Sequence, residues 1–170
     1  MGCRGVYFAL NEDDERKLSE ATNDEEVLNT IQEEIEERWD QEWLQETDKA
    51  WDAMHRCLTD GTLVCKGKTV LEKCVLGGKQ LYNGRDYIVS FLKPKEVCEV
   101  AESIGTIQKD TFQKKYFGLK KKFLFIDRTE YEGLIGEEDF EYTWFYFEKT
   151  REFFFKVAKA KKAVIFTVEQ

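Results

Sequence analysis

Residues 137–168 read EEDFEYTWFYFEKTREFFFKVAKAKKAVIFTV, and this stretch decides the fold. The spacing of its bulky residues predicts one long helix from Glu137 to Lys162, buried on more than one side. The β-branched run from Ala163 to Val168 predicts a final strand. A long aromatic-rich C-terminal helix followed by a strand is typical of an α+β protein. The residues at helical spacing are Phe140, Trp144, Phe147, Arg151, Phe154 and Ala158.

The N-terminal third contains the clearest periodicity in the chain. Residues 3–10 predict a short strand, and Asn11 is a suitable N-cap for a helix that opens with acidic residues. Apolar residues then recur every four positions with acidic residues between them, which predicts one long amphipathic helix with an anionic outer face. These apolar positions are Val27, Ile31, Ile35, Trp39 and Trp43.

The middle of the chain alternates between helical and extended patterns. A helix that carries Trp51 and His55 on one face is expected to end before Gly61. Residues 63–75 predict short strands with a turn at Gly67. The segment Val75-Leu76-Gly77-Gly78 predicts a buried strand end followed by a tight turn that needs positive φ.

The remaining pattern completes one domain. A strand is predicted over 87–92, a helix from Pro94 to Gly105 and a short helix over 110–117. The run 123–126 fits a strand or a helix equally well. Together these elements predict a single compact α+β domain spanning residues 1–170, with several helices packed on a small mixed sheet.

Length and composition favour the same description. The chain has 170 residues, of which 42% are hydrophobic and 35% are charged, and only one is proline, which argues against a linker. No window approaches the roughly 20 apolar residues of a membrane span, and the N-terminus lacks the pattern of a signal peptide. The five cysteines are odd in number and form no C-x-x-C motif. We therefore expect free thiols and a cytoplasmic location.

The negative charge is concentrated at one end of the chain. The net charge is -8, and residues 1–60 hold 18 acidic against 6 basic residues, or -12. The remaining 110 residues hold 16 acidic against 20 basic residues, or +4. An acidic surface repels nucleic acid and anionic membranes and attracts a basic protein. The simpler explanation is that these acids are solvated helix faces.

The sequence contains no catalytic, metal-binding or cofactor-binding motif, so we predict no catalytic residue, no metal site and no cofactor. His55 is the only histidine. Its place on an apolar helix face is typical of a buried core residue, and alternatively of an acid or base in a pocket. The set His55, Cys57 and Cys65 lacks zinc-ligand spacing.

One basic patch interrupts the acidic character of the chain. Lys114, Lys115 and residues 120–122 are lysines, with aromatic residues among them. Such a patch is found in some RNA-binding surfaces. Because the net charge is negative and no RNA-binding motif is present, we expect solvated lysines and no nucleic-acid partner.

Three parts of the chain carry motifs that belong together. They are Met1, Gly2, Gly5, Ala9 and Leu10 at the start, Trp51, His55, Leu58, Thr59 and Gly61 in the middle, and then Val75, Leu76, Gly77 and Gly78. Together these residues resemble the YfbM-like family of small bacterial proteins of unknown function. The resemblance covers essentially the whole chain and implies a compact α+β fold, but it implies no catalytic residues. One departure is Asp60, which stands between Thr59 and Gly61 where the family motif has none.

Two hypotheses about function follow. The first is a non-catalytic protein-binding protein, for example an immunity-type protein that neutralises a basic toxin through an acidic face. The second is a small-ligand-binding protein or enzyme with a pocket around His55 and Trp51. The sequence leaves the oligomeric state open. Candidate partner-binding residues are Glu33, Glu34, Glu37 and Asp40, and candidate pocket residues are Trp51, His55, Gly77, Gly78 and Trp144.

Overall fold

The computed structural model describes residues 3–119, 131 and 133–169. The lysines at 120–122 and the undecided run 123–126 lie outside these residues. The strands are β1 (Gly5–Ala9), β2 (Leu44–Asp48), β3 (Lys79–Gln80), β4 (Tyr87–Leu92) and β5 (Val164–Glu169). The α-helices are α1 (Glu12–Glu20), α2 (Asp24–Asn29), α3 (Ala50–Leu58), α4 (Pro94–Gly105), α5 (Lys109–Phe117) and α6 (Glu137–Lys159). A π-helix (Thr30–Glu36) continues α2, and a 3₁₀-helix spans Leu71–Cys74.

The five strands form one sheet in the order β2-β1-β5-β4-β3. All four pairings are antiparallel, so the expectation of a mixed sheet was wrong in this respect. The last strand, β5, lies at the centre and pairs with both β1 and β4. Because β5 is the last strand of the chain, its pairing with β1 joins residues that are far apart in sequence, and the sheet is complete only when the C-terminus has folded.

Helices cover both faces of the sheet. Successive residues of β5 alternate between two cores: Val164 and Phe166 face the layer of α3 to α6, whereas Ile165 faces α1, α2 and the π-helix. Because both faces are buried at the centre of the sheet, β1, β4 and β5 read as nearly continuous apolar runs rather than as alternating ones, whereas the edge strands β2 and β3 are mostly polar. The predicted α+β fold is confirmed.

The long C-terminal helix and the final strand are also confirmed. α6 ends at Lys159, three residues before its predicted end, because Lys161 takes a left-handed conformation with φ of 54°. Its aromatic residues divide into two groups. Phe147 and Phe154 are fully buried, whereas Phe145 and Phe155 are 53% and 64% exposed.

The predicted single helix through Val27 and Trp43 is wrong. The helix widens into the π-helix after Asn29, and Trp39 then takes a left-handed conformation with φ of 40°. A strict four-residue repeat exceeds the 3.6 residues of an α-helical turn, so the apolar stripe would rotate away from the core. The wider π turn keeps Ile31 and Ile35 buried. Trp43 lies beyond the helix, just before β2.

The strands predicted over 63–75 are also wrong. Residues 62–70 are exposed or half-buried without regular structure, and the 3₁₀-helix follows them. A strand needs a partner edge, and the sheet edge next to β4 is taken by the two-residue β3 instead. The turn at Gly67 is present, with φ of +64°.

Gly77 and Gly78 are required by close approach and not by positive φ, which corrects the sequence prediction. A Cβ on Gly77 would lie 2.5 Å from the backbone carbon of Glu72. A Cβ on Gly78 would lie 2.6 Å from the backbone oxygen of Phe91. Neither glycine is among those with positive φ. The pair therefore lets the 3₁₀-helix and β3 pack directly against neighbouring backbone.

Candidate functional site

An acidic groove lies between α1 and the helix formed by α2 and the π-helix. It has a volume of about 330 Å³. Four carboxylates and one ammonium group line it, so its formal charge is -3. The lining residues are Lys17, Glu20, Ala21, Glu26, Asn29, Thr30, Glu33 and Glu34. We refer to this feature as the acidic groove.

Two ion pairs hold the walls of the acidic groove together. Lys17 of α1 donates to Glu34 of the π-helix and lies 3.0 Å from Asp13. Its hydrogen bonds to Glu34 and Asp13 raise the pKa of Lys17. Arg38 lies 2.6 Å from Asp14, whose side chain is buried. Ion pairs therefore link the two walls of the groove, and the one lysine within it is already paired with carboxylates.

Glu26 and Glu20 supply the charge at one end of the acidic groove. Glu26 accepts hydrogen bonds from the backbone N–H of Thr22 at 2.7 Å and from its hydroxyl at 3.1 Å. These bonds lower the pKa of Glu26, so it stays ionised well below neutral pH. Glu20 lies 3.5 Å from Arg16.

The four acids predicted as partner-binding residues are only partly brought together. Glu33 and Glu34 line the acidic groove, whereas Glu37 and Asp40 do not. Glu33 and Glu37 are exposed, and neither takes part in an ion pair among the described residues. Asp40 is exposed, and its side chain accepts a hydrogen bond from the backbone N–H of Glu42 at 3.1 Å.

The helical layer that forms the acidic groove contains two uncommon backbone conformations, the π-helix and the left-handed conformation of Trp39. Wide helical turns of this kind occur frequently at functional sites. Trp39 is 38% exposed, although its ring also packs edge-on against Phe8 at 5.7 Å between centroids. A bulky residue with positive φ is uncommon, and the surrounding contacts must compensate for its strain. An exposed tryptophan is a side chain that often provides a binding contact.

His55 is fully buried on α3. Its Nε2 lies 3.7 Å from Sγ of Cys65, and its Nδ1 has no hydrogen-bond partner among the residues described. Burial lowers the pKa of His55 to about 4 and raises the pKa of the Cys65 thiol to about 11. Both groups are thus neutral at pH 7, unlike the thiolate and imidazolium of a cysteine nucleophile. The geometry favours the core interpretation of His55.

The other predicted pocket residues are also packing residues. Trp51 is nearly buried and donates from Nε1 to the backbone oxygen of Cys3 at 2.9 Å. Trp144 is nearly buried against Phe112, with ring centroids 5.4 Å apart. The acidic groove and the two other grooves described among these residues are lined by other side chains than Trp51, Trp144, His55 and the glycine pair.

Sequence reasoning missed Glu20 and Glu26 as groove residues. Both flank the break at Thr22-Asn23, where a short connection between two helices brings their ends together. That break was the available signal. The sequence analysis considered His55 and Cys65 together only as zinc ligands, and their contact could not be predicted because it depends on the path of an irregular loop.

Among residues 3–119, 131 and 133–169, no group of three or more His, Cys, Asp or Glu side chains is arranged to hold a metal ion. The five cysteines all lie in this part and are free. None of the helices described there is both long and apolar enough to cross a membrane.

Comparisons with known proteins place the chain among proteins without an assigned activity. The family model described as "Domain of unknown function (DUF1877)" matches residues 1–167. No curated protein matches the chain. The fold is similar to the crystal structure of "a Protein of Unknown Function YfbM from Escherichia coli", with 16% identity and a TM-score of 0.69 over 97% of this chain and 99% of that chain. These findings confirm the resemblance to YfbM-like proteins.

Proposed function

This chain belongs to the DUF1877 family, and from that premise we propose that it is a non-catalytic protein-binding protein that engages a basic partner through the acidic groove. The family description names no activity, so the proposal rests on the residues of this chain. The observation that supports it is the convergence of Glu20, Glu26, Glu33 and Glu34 on one groove that contains a single, already paired lysine.

The charge distribution supports recruitment of a basic protein. Residues 1–60 carry -12, and the acidic groove lies within this part of the chain. A surface of one sign speeds the encounter with a partner of opposite sign, by about ten- to a thousandfold at low ionic strength. The same surface disfavours acidic partners and nucleic acids. Charge thus provides selectivity before any close contact forms.

The groove also offers specific contacts. Glu33 has no partner among the described side chains, so it is free to accept hydrogen bonds from an arginine or lysine. A hydrogen bond to a charged group contributes roughly 1.5–3 kcal/mol. Trp39 adds an exposed aromatic surface in the same layer. We expect these residues to provide most of the binding energy, with Glu37 and Asp40 as peripheral charges.

An immunity-type role is the specific form of this proposal. The partner would be a basic toxin whose positive surface is covered by the acidic groove. We place this function in the cytoplasm, where the five free cysteines remain reduced.

The alternative, a ligand pocket or active site around His55 and Trp51, has less support. Both side chains are buried, and His55 is neutral at pH 7 because burial lowers its pKa to about 4. The two functions differ in their response to His55→Gln. That substitution leaves partner binding unchanged but abolishes an activity that depends on the imidazole.

The proposal is tested by affinity capture from the source organism with matched charge variants. Glu33→Lys reverses a charge in the acidic groove, and Glu148→Lys reverses one on the outer face of α6; each changes the net charge from -8 to -6. Neither glutamate takes part in an ion pair in the described part of the chain. Capture is carried out at about 0.1 M and about 1 M salt, where the screening length falls from about 10 to about 3 Å.

We expect the wild type and Glu148→Lys to retain the same basic protein at low salt. We expect Glu33→Lys to lose it at low salt, and high salt to weaken its retention by the wild type and by Glu148→Lys. The proposal is wrong if no basic protein is retained, or if Glu33→Lys retains it as well as Glu148→Lys does.

A further inference from the structure

A second groove lies between α4 and α6, on the opposite face of the sheet from the acidic groove. We call it the apolar groove. Its volume is about 430 Å³. The packing of these two helices is braced by Arg151, which donates to the backbone oxygens of Gly105 and Ile107 at 3.3 Å. The residues that line it are Cys98, Ala101, Glu102, Gly105, Phe155, Ala158 and Lys159.

Gly105 lines the apolar groove, and the fold does not require a glycine there. A Cβ on Gly105 would meet no atom within 4 Å, and its φ is not positive. Gly77 and Gly78, in contrast, are needed for close backbone packing. Glycine is unfavourable in a helix. At position 105 it serves neither a close approach nor a positive φ, and the groove surface beside it is free of side-chain atoms.

A large apolar side chain stands beside this space. Phe155 is 64% exposed, and it lines the groove from the α6 side. Its ring is contacted by Lys159, whose Nζ lies 5.5 Å from the ring centroid. The surface therefore carries a protruding ring next to a cavity with a volume suited to an aromatic side chain.

Opposite charges stand on the two walls of the apolar groove. Glu102 is exposed on α4 and Lys159 is exposed on α6. Neither forms an ion pair within the described ranges of the chain. In a two-fold contact, every pairing between two different surface residues occurs twice, once in each direction across the axis. A ring beside a cavity, with a glutamate and a lysine on opposite walls, is self-complementary under that symmetry.

From this arrangement we propose that the apolar groove binds a second copy of this chain. Phe155 of each copy inserts into the groove of the other, and Glu102 of each copy pairs with Lys159 of the other. The net charge of -8 does not oppose this contact strongly, since residues 61–170 carry +4 and the acidic groove lies on the opposite face of the sheet. The acidic grooves then stay accessible on the two outer faces of the dimer.

The dimer is expected to be weak, because one groove per copy places the interface at the small end of specific interfaces. We expect a dissociation constant on the order of tens of micromolar. The association goes beyond the proposed function and does not depend on it. A failure of either proposal leaves the other untouched, because the two grooves are separate.

The test is sedimentation velocity over a concentration series up to about 1 mM. Phe155→Glu is expected to weaken dimerisation by at least about a hundredfold, because each dimer buries this ring twice. Phe145→Glu is the matched control, since Phe145 is also exposed on α6 but does not line the groove. It is expected to leave dimerisation unchanged.

A charge exchange tests the two-fold geometry separately. Glu102→Lys and Lys159→Glu are each expected to weaken the dimer by several-fold, and the double variant is expected to restore it. A wild-type chain that stays monomeric up to about 1 mM overturns the proposal. So does a Phe155→Glu variant that dimerises like the wild type, or a double charge exchange that fails to recover what the single variants lose.

Discussion

Replacing His55 with leucine should remove a defined part of the pH dependence of stability. His55 is fully buried, and its burial lowers its pKa to about 4 from the usual 6.5. Between these values the unfolded chain binds a proton that the folded chain does not. Stability from this group is therefore fully present above pH 6.5 and is lost as the pH falls towards 4.

The magnitude follows from the size of the shift. Each pH unit in this window changes the free energy of unfolding by about 1.4 kcal/mol, so the whole shift corresponds to about 3 kcal/mol. His55→Leu carries no titrating group at this position. Its free energy of unfolding should therefore fall by about 3 kcal/mol less than that of the wild type between pH 7 and pH 4.

The assay is urea unfolding of both chains at half-unit steps from pH 7 to pH 4, with the difference between the two free energies plotted against pH. All other titrating groups are common to both chains and cancel in this difference. A difference that does not change with pH would refute the reasoning, because it would mean that His55 is protonated as easily in the folded chain as in the unfolded one.

Three other predictions concern stability. Gly78→Ala should lower the free energy of unfolding by about 1–3 kcal/mol, because its Cβ would lie 2.6 Å from a backbone oxygen. Gly105→Ala should be neutral or stabilising, because a Cβ there meets nothing within 4 Å. Thermal unfolding of the two variants distinguishes these outcomes. Burial raises the pKa of the Glu36 carboxyl, so the folded chain binds its proton more tightly than the unfolded chain does. The stability that this group contributes is therefore fully present below its unfolded pKa and is lost as the pH rises above it. In urea unfolding, the free energy of unfolding of Glu36→Gln should rise relative to that of the wild type from pH 4 to pH 7. In denaturant unfolding, Phe154→Ala should lower the free energy of unfolding by about 3–5 kcal/mol and Phe145→Ala by less than about 1 kcal/mol, since only the ring of Phe154 is buried. Equal losses in the two variants would contradict the orientation of α6 described above.

The C-terminal part of the fold could be predicted because its signals are local. Helical spacing over more than twenty residues marks α6, and a β-branched run marks β5. The predicted end of α6 was three residues too late, because the left-handed position after the helix is occupied by Lys161 and not by the glycine or asparagine that usually marks a helix end. The pairing of β5 with both β1 and β4 has no local signal at all.

The error in the N-terminal third has a physical cause. A four-residue repeat resembles the helical period closely enough to predict a helix, but its excess over 3.6 residues accumulates along the stripe. The chain resolves this with the π-helix and then ends the helix at Trp39. The change of helix type could have been found from the sequence only by comparing the four-residue repeat with the residues per turn of an α-helix and of a π-helix.

The candidate site was half predictable. Glu33 and Glu34 follow from the acidic face of a periodic helix, but the groove needs the second wall formed by α1. α1 packs through the buried Leu18, and the pair Lys17–Glu34 then joins the two walls between residues 17 positions apart. Such a pair cannot be chosen from among the many lysines and acids of a sequence.

The central claim is that the acidic groove recruits a basic protein through its charge. The most direct measurement is the association rate constant between this chain and the captured partner, by stopped-flow fluorescence, for the wild type, Glu33→Lys and Glu148→Lys. We predict that the wild-type rate constant falls at least about tenfold between about 0.1 M and about 1 M salt. We also predict that Glu33→Lys is slower than Glu148→Lys at low salt and that the two converge at high salt. A wild-type rate constant that does not change with salt would contradict the account. So would association rate constants that are reduced equally, relative to the wild type, in Glu33→Lys and Glu148→Lys at low salt.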